Sequence, residues 1–94
     1  MYPWYHTQTY FDGMHAAGVN DGMMLSRSAW AGMSKNRAAL WNGDTRSSFS
    51  FLKTAIQAGL SVQLSGIAWW TTDIGGYAGG NPTDPVFREL IVRW

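Results

Sequence analysis

Three short apolar runs, each leading to an ionic residue, constrain this chain more than any other feature. Met23-Met24-Leu25-Ser26 runs into Arg27, and Ala38-Ala39-Leu40-Trp41 runs into Asn42-Gly43-Asp44. Leu60 to Ile67 alternates apolar with small or polar residues and leads into Trp69-Trp70-Thr71-Thr72-Asp73. A nearly continuous apolar run with a polar end is the pattern of a strand buried in a parallel sheet whose last residues reach a site. Helical spacing separates these runs. From His6 to Ala17, Tyr10, Phe11 and Met14 recur on one face, and Gly18 is a plausible stop. Ser47 or Ser48 caps a second helix with Phe49, Leu52, Ala55 and Ile56 on one face and Gly59 at its end. Asp84-Pro85 starts a third, striped by Val86, Phe87, Leu90, Ile91 and Trp94.

The predicted order is helix, strand, strand, helix, strand, helix. Alternating strands and helices indicate a parallel α/β architecture. Ala31 to Arg37 is too short for a proper crossover helix. Three strands and three helices cannot close a barrel, and a complete (β/α)8 barrel needs roughly 200 residues or more. The expectation is therefore a partial TIM (β/α)8 barrel, with residues 1–94 a fragment of a single catalytic domain, incomplete at both ends. The alternative is a complete small α/β domain.

Composition narrows the function classes. Only 14% of residues are charged and 46% are hydrophobic, which is too apolar for a disordered segment. The net charge of +1 and the scattered basic residues give no ground for a nucleic-acid partner. No apolar run approaches the ~20 residues of a membrane span, and Tyr-Pro-Trp after Met1 does not open a signal peptide. There is no cysteine, so disulfides and thiolate metal sites are excluded. His6 and His15 are not neighbours on a helical face and no carboxylate pair flanks them, so no metal site is expected. The glycine-rich stretch from Gly75 to Gly80 lacks the Lys-Ser/Thr ending of a phosphate loop and reads as a loop needing positive φ angles. Six Trp, several beside Gly and Asp, suit an aromatic pocket for the apolar faces of sugar rings as well as they suit core packing.

Arg27, Asp44 and Asp73 are the candidate site. Strand C-termini form the active face of a parallel barrel, so three such ends would converge on one mouth. Two carboxylates and a guanidinium suit glycoside hydrolysis, where one carboxyl protonates the leaving oxygen and negative charge stabilises an oxocarbenium-like transition state. A structural Arg–Asp pair at a barrel rim, with the other Asp capping a turn, fits the spacing equally well.

Longer blocks of sequence carry a resemblance. Leu25-Ser26-Arg27-Ser28-Ala29-Trp30-Ala31-Gly32 is followed by Leu40-Trp41-Asn42-Gly43-Asp44-Thr45-Arg46-Ser47-Ser48-Phe49, then by Leu64-Ser65-Gly66-Ile67-Ala68-Trp69-Trp70-Thr71-Thr72-Asp73-Ile74-Gly75-Gly76. In this order, and continued by Asn81-Pro82, Asp84-Pro85 and Phe87-Arg88-Glu89-Leu90, these blocks resemble glycoside hydrolase family 31 over nearly the whole chain. The resemblance implies that Asp44, in the Trp-x-Gly-Asp motif, is the general acid/base. It implies that Arg27 lines the subsite of the reacting sugar, that Trp41 is a pocket-wall aromatic, and that Asp73 is a sugar-binding carboxylate. The family's nucleophile is an Asp in a Trp-x-Asp motif on an earlier strand. This chain has no such motif, and Asp12 and Asp21 stand in the wrong context. The resemblance thus implies that the nucleophile strand lies upstream of residue 1, and that a sugar-contacting His lies beyond Trp94.

The expected function is that of a retaining α-glycosidase fragment, acting with no cofactor on terminal α-linked glucose of oligosaccharides and inactive alone. An α-xylosidase or α-transglucosylase of the same family is the alternative. A non-catalytic carbohydrate-binding module is the alternative from another class.

Overall fold

The computed structural model describes all 94 residues. Helix α1 covers Tyr2–Ala16, strand β1 Met24–Ser26, a 3-10 turn Met33–Asn36, strand β2 Ala38–Trp41, helix α2 Phe49–Leu64, strand β3 Trp70–Thr71 and helix α3 Pro85–Arg93. The strands form one sheet in the order β1-β2-β3, and both pairings are parallel. This is the expected α/β segment of three parallel strands and three helices.

The helix starts follow the sequence chemistry. Ser48 is the N-cap of α2 and its Oγ accepts from the Phe51 N–H at 3.2 Å. The Asp84 carboxylate accepts from the Val86 N–H at 2.9 Å, and Pro85 opens α3 where its missing N–H costs nothing. α1 begins at Tyr2 rather than His6, with Pro3 in its first turn. Thr7 and Asn36, both fully buried, dock α1 on the 3-10 turn: Asn36 Nδ2 donates to Thr7 Oγ1 at 3.1 Å, and Thr7 Oγ1 donates to the Trp4 carbonyl at 3.0 Å.

Two expectations about α2 and β3 are overturned. Leu60 to Ile67 is not a strand, because α2 runs on through Leu64 and β3 is only Trp70–Thr71. The alternation there arises because Val62 packs against the core while Leu60 and Leu64 point to solvent. Gly59 does not end the helix. It lies within α2, buried under Trp70, where an added Cβ would stand 2.8 Å from the indole ring. The chain leaves the helix instead through Ser65 and Gly66, the latter at φ +82°.

The sheet register sorts side chains onto two faces. Met24 opposite Ala38, and Leu40 opposite Trp70, face the helices. There Met33, Ala38 and Ile67 form the core, with Met24, Ala29, Leu40 and Val62 packed against it. Leu25 opposite Ala39 faces the other way, and with Trp69 these residues line an open groove of about 560 Å³. The layer is thin. Only 12 of 94 residues are buried. The radius of gyration is 15.7 Å, against about 12 Å for a compact domain of this length. Leu25 is 62% exposed and Trp69 44% exposed on that open face. The stripe of α3 is uneven for the same reason, with Leu90 buried and Val86 and Ile91 exposed.

The two helical glycines predict opposite outcomes. Gly13→Ala in α1 meets nothing within 4 Å and should raise stability by about 0.5–1 kcal/mol. Gly59→Ala must push against Trp70. It should lower stability by up to ~2 kcal/mol, the ~1–3 kcal/mol cost of overpacking less the ~0.5–1 kcal/mol that Ala gains over Gly in a helix. Urea unfolding of the two variants checks the sign of each.

Candidate active site

The register that orders the sheet also builds the mouth. Ser26 pairs with Leu40, so the next residue along β1, Arg27, falls beside Trp41, and Trp41 pairs with Thr71 of β3. Arg27 Cζ lies 5.3 Å from the centroid of the Trp41 ring, a cation–π contact. Gly43, buried and at φ +83°, turns the chain beneath this pair. A Cβ at Gly43 would stand 3.7 Å from Arg27 Nη2, so the guanidinium lies against bare backbone.

Asp44 follows this turn and is exposed, and Asp73 follows β3 and is half-buried. The structure therefore brings all four sequence-derived residues to the C-terminal ends of adjacent strands. No ion pair joins them, since the only ion pair in the chain is Arg93–Glu89 on α3 at 2.8 Å. The reading as a structural Arg–Asp pair fails here: Arg27 stacks on Trp41 instead. Nor does either carboxylate cap a turn, and the aspartate that does cap is Asp84.

The loops carrying the two aspartates are joined by main chain. The Tyr77 and Ala78 N–H groups both donate to the Thr45 carbonyl, at 2.9 and 3.0 Å, and the Ser47 N–H donates to the Ala78 carbonyl at 2.8 Å. Arg46 and Ala78 form a parallel bridge. The positive φ angles of Gly75, Gly76 and Gly79 match the loop geometry expected of that stretch.

Sequence reasoning missed a set of buried polar atoms beside the aspartates. Trp41 Nε1, Asn42 Oδ1, Thr45 Oγ1 and Thr72 Oγ1 are buried without a hydrogen-bond partner in the chain. A buried unsatisfied group costs ~1–3 kcal/mol, so each of these atoms would gain from a partner outside the chain. The available signal was position, because all four residues lie within three places of Asp44 or Asp73. Chemically, the mouth offers an exposed carboxyl able to exchange a proton and a half-buried one able to accept bonds from hydroxyls. The Arg27 guanidinium, laid on an indole, keeps a planar edge of donors.

A parallel segment with carboxylates and a guanidinium at its strand C-termini is part of a (β/α) barrel with polar groups on its active face. The family model for the glycosyl hydrolases family 31 TIM-barrel domain matches residues 1–94, and the chain belongs to glycoside hydrolase family 31. It is 46% identical over 93 residues to the uncharacterized family 31 glucosidase ORF2 of Pseudescherichia vulneris, covering 99% of this chain and 18% of that protein. It is 38% identical to an α-xylosidase of Saccharolobus solfataricus, covering 99% of this chain and 13% of the relative. Among solved structures, a family 31 α-xylosidase from a soil metagenome complexed with xylose superposes with a TM-score of 0.93 at 45% identity, covering 99% of this chain and 14% of that one. The chain thus spans less than a fifth of the length of these relatives. The match is to the barrel domain itself rather than to a separate binding module.

The Arg27–Trp41 contact is testable without substrate. In a double-mutant cycle with Arg27→Ala and Trp41→Leu, urea unfolding should give a coupling of about 0.5–1 kcal/mol, the size of an exposed cation–π pair. Strict additivity would mean that the two side chains do not interact.

Proposed function

We propose that this chain forms the acid/base side of the catalytic mouth of a retaining α-glycosidase, within a barrel whose other strands supply the nucleophile. The supporting observation is that Asp44 is exposed and free of any ion pair, on the same strand-end face as Arg27, Trp41 and Asp73. In this mechanism the nucleophilic carboxylate attacks the anomeric carbon while Asp44 protonates the departing glycosidic oxygen. Asp44, now a carboxylate, then takes a proton from water, which cleaves the glycosyl-enzyme with overall retention. Arg27 makes no ion pair with Asp44, and its edge turned away from Trp41 donates to sugar hydroxyls. Asp73 accepts from others.

The substrate class is a terminal α-linked sugar of an oligosaccharide. Glucose is the first assignment and fits the similarity to the Pseudescherichia glucosidase. Xylose is the second, favoured by the likeness to the xylose-bound metagenomic enzyme and to the archaeal α-xylosidase. The complete barrel containing these residues, assayed on aryl α-glucoside and aryl α-xyloside, decides between them by the ratio of kcat/KM. On the corresponding α-linked disaccharides, Asp44→Ala should lose ~10²–10⁴-fold in kcat/KM, the usual worth of general acid–base catalysis. Undiminished disaccharide turnover would remove Asp44 from that role.

A further inference from the structure

Gly76 is the tightest point between the two loops of the mouth. Its φ is +88°, and a Cβ added there would stand 2.8 Å from Arg46 C, 2.8 Å from Ser47 N and 2.9 Å from Arg46 O. These are main-chain atoms, so no side-chain rotation can relieve the clash. The same loop presses on α3 from its other side, where a Cβ at Gly80 would meet the Phe87 ring at 2.4 Å and one at Gly75 would meet Ile91 at 3.0 Å. The loop after β3 is therefore wedged between α3 and the loop after β2, and Gly76 sets how closely the two loops approach.

We propose that Gly76 is a positioning residue for the acid/base step, acting through the main-chain clasp at Thr45 to fix Asp44 relative to Asp73. The chain of contacts is short. Gly76 abuts Arg46 and Ser47, its neighbours Tyr77 and Ala78 both hold the Thr45 carbonyl, and Asp44 is the next residue. At the other end, the Gly76 N–H donates to the Asp73 carbonyl at 3.0 Å. One glycine thus touches both loops that carry a carboxylate, and any side chain at this position must separate them. The inference rests on the assignment of Asp44 as acid/base.

Gly79 supplies the matched control. It has the same φ of +88° with nothing within 4 Å of its Cβ position, so Gly79→Ala carries the backbone strain without the wedge. Both variants and Asp44→Ala are made in the complete barrel, and kcat/KM is measured on an α-linked disaccharide and on an aryl glycoside with an activated leaving group. The aryl group departs without a proton, so kcat/KM for it is insensitive to the acid. Misplacement of a reacting group by 1 Å can cost ~10²-fold, so Gly76→Ala should lose roughly 10-fold or more on the disaccharide while staying within about threefold on the aryl glycoside. Gly79→Ala should show no such split.

An equal loss on both substrates, no loss on either, or the same split in Gly79→Ala overturns the proposal. If Asp44→Ala shows no split, the acid/base assignment itself has failed. If Asp44→Ala splits and Gly76→Ala does not, only the Gly76 proposal has failed. Amide hydrogen exchange of the unsubstituted enzyme gives a measurement that does not depend on the variant folding. Tyr77 and Ala78 N–H groups should be protected as well as the Leu40 N–H in the β2–β3 ladder, and exchange at open-loop rates would overturn the clasp.

Discussion

Parallel pairing of Leu25 with Ala39, and of Leu40 with Trp70, is the constraint on which the mouth depends. Side chains alternate along a strand, so a slip of one residue would turn Arg27, Trp41 and Thr71 toward the helices and drive Ala38 and Leu40 out of the core. Burial of Ala38 beside Met33 and Ile67, with Leu40 packed against them, opposes that slip. The helix-facing core therefore fixes the register, and the register puts the guanidinium on the indole. Gly59 contributes from behind by letting Trp70 close on α2, which holds the shortest strand, β3, at the height where Asp73 leaves it.

Beyond the strands, control passes from side-chain packing to main-chain geometry. The β2 and β3 ladders stop at Trp41 and Thr71, and the aspartates lie further on, where loops are ordinarily mobile. Here the Thr45, Ser47 and Ala78 hydrogen bonds continue the parallel pairing past the strand ends. Gly76 is needed because the two backbones approach there without room for a Cβ, and the positive φ values of Gly75, Gly76 and Gly79 let the chain turn along that approach. Side chains on these loops gain in this way some of the precision of groups on strands. Thr72 Oγ1 and Asn42 Oδ1, beside them, are buried without a hydrogen-bond partner in the chain.

Much of this was legible in the sequence, for identifiable reasons. Arg27, Asp44 and Asp73 stood out because each follows an apolar stretch, and strand ends are where polar residues of a parallel sheet gather. Ser48 and Asp84 were readable because capping is local chemistry. The misreadings came from tertiary contacts. Leu60-Ser61-Val62-Gln63-Leu64 has the two-residue period of a strand, but α2 retains it because only Val62 needs cover in this segment. Gly59 reads as a helix stop until Trp70 is seen lying on it. The fit of Gly76 against Arg46 could not be read at all, since it depends on two loops separated by an entire helix. Which of Arg27, Asp44 and Asp73 does what was not given by spacing, and came from the resemblance of the Trp-x-Gly-Asp block to family 31.

The central claim is that Asp44 delivers the proton to the departing oxygen. The most direct measurement is the dependence of log kcat/KM on leaving-group pKa, over a series of aryl glycosides, for the unsubstituted complete barrel and for Asp44→Ala. With Asp44 in place the line should be shallow, because the acid offsets a poor leaving group. In the variant it should steepen, meeting the parent line at the most acidic phenols and falling away as the leaving group becomes more basic. Parallel lines, displaced by the same factor at every phenol, would contradict the account.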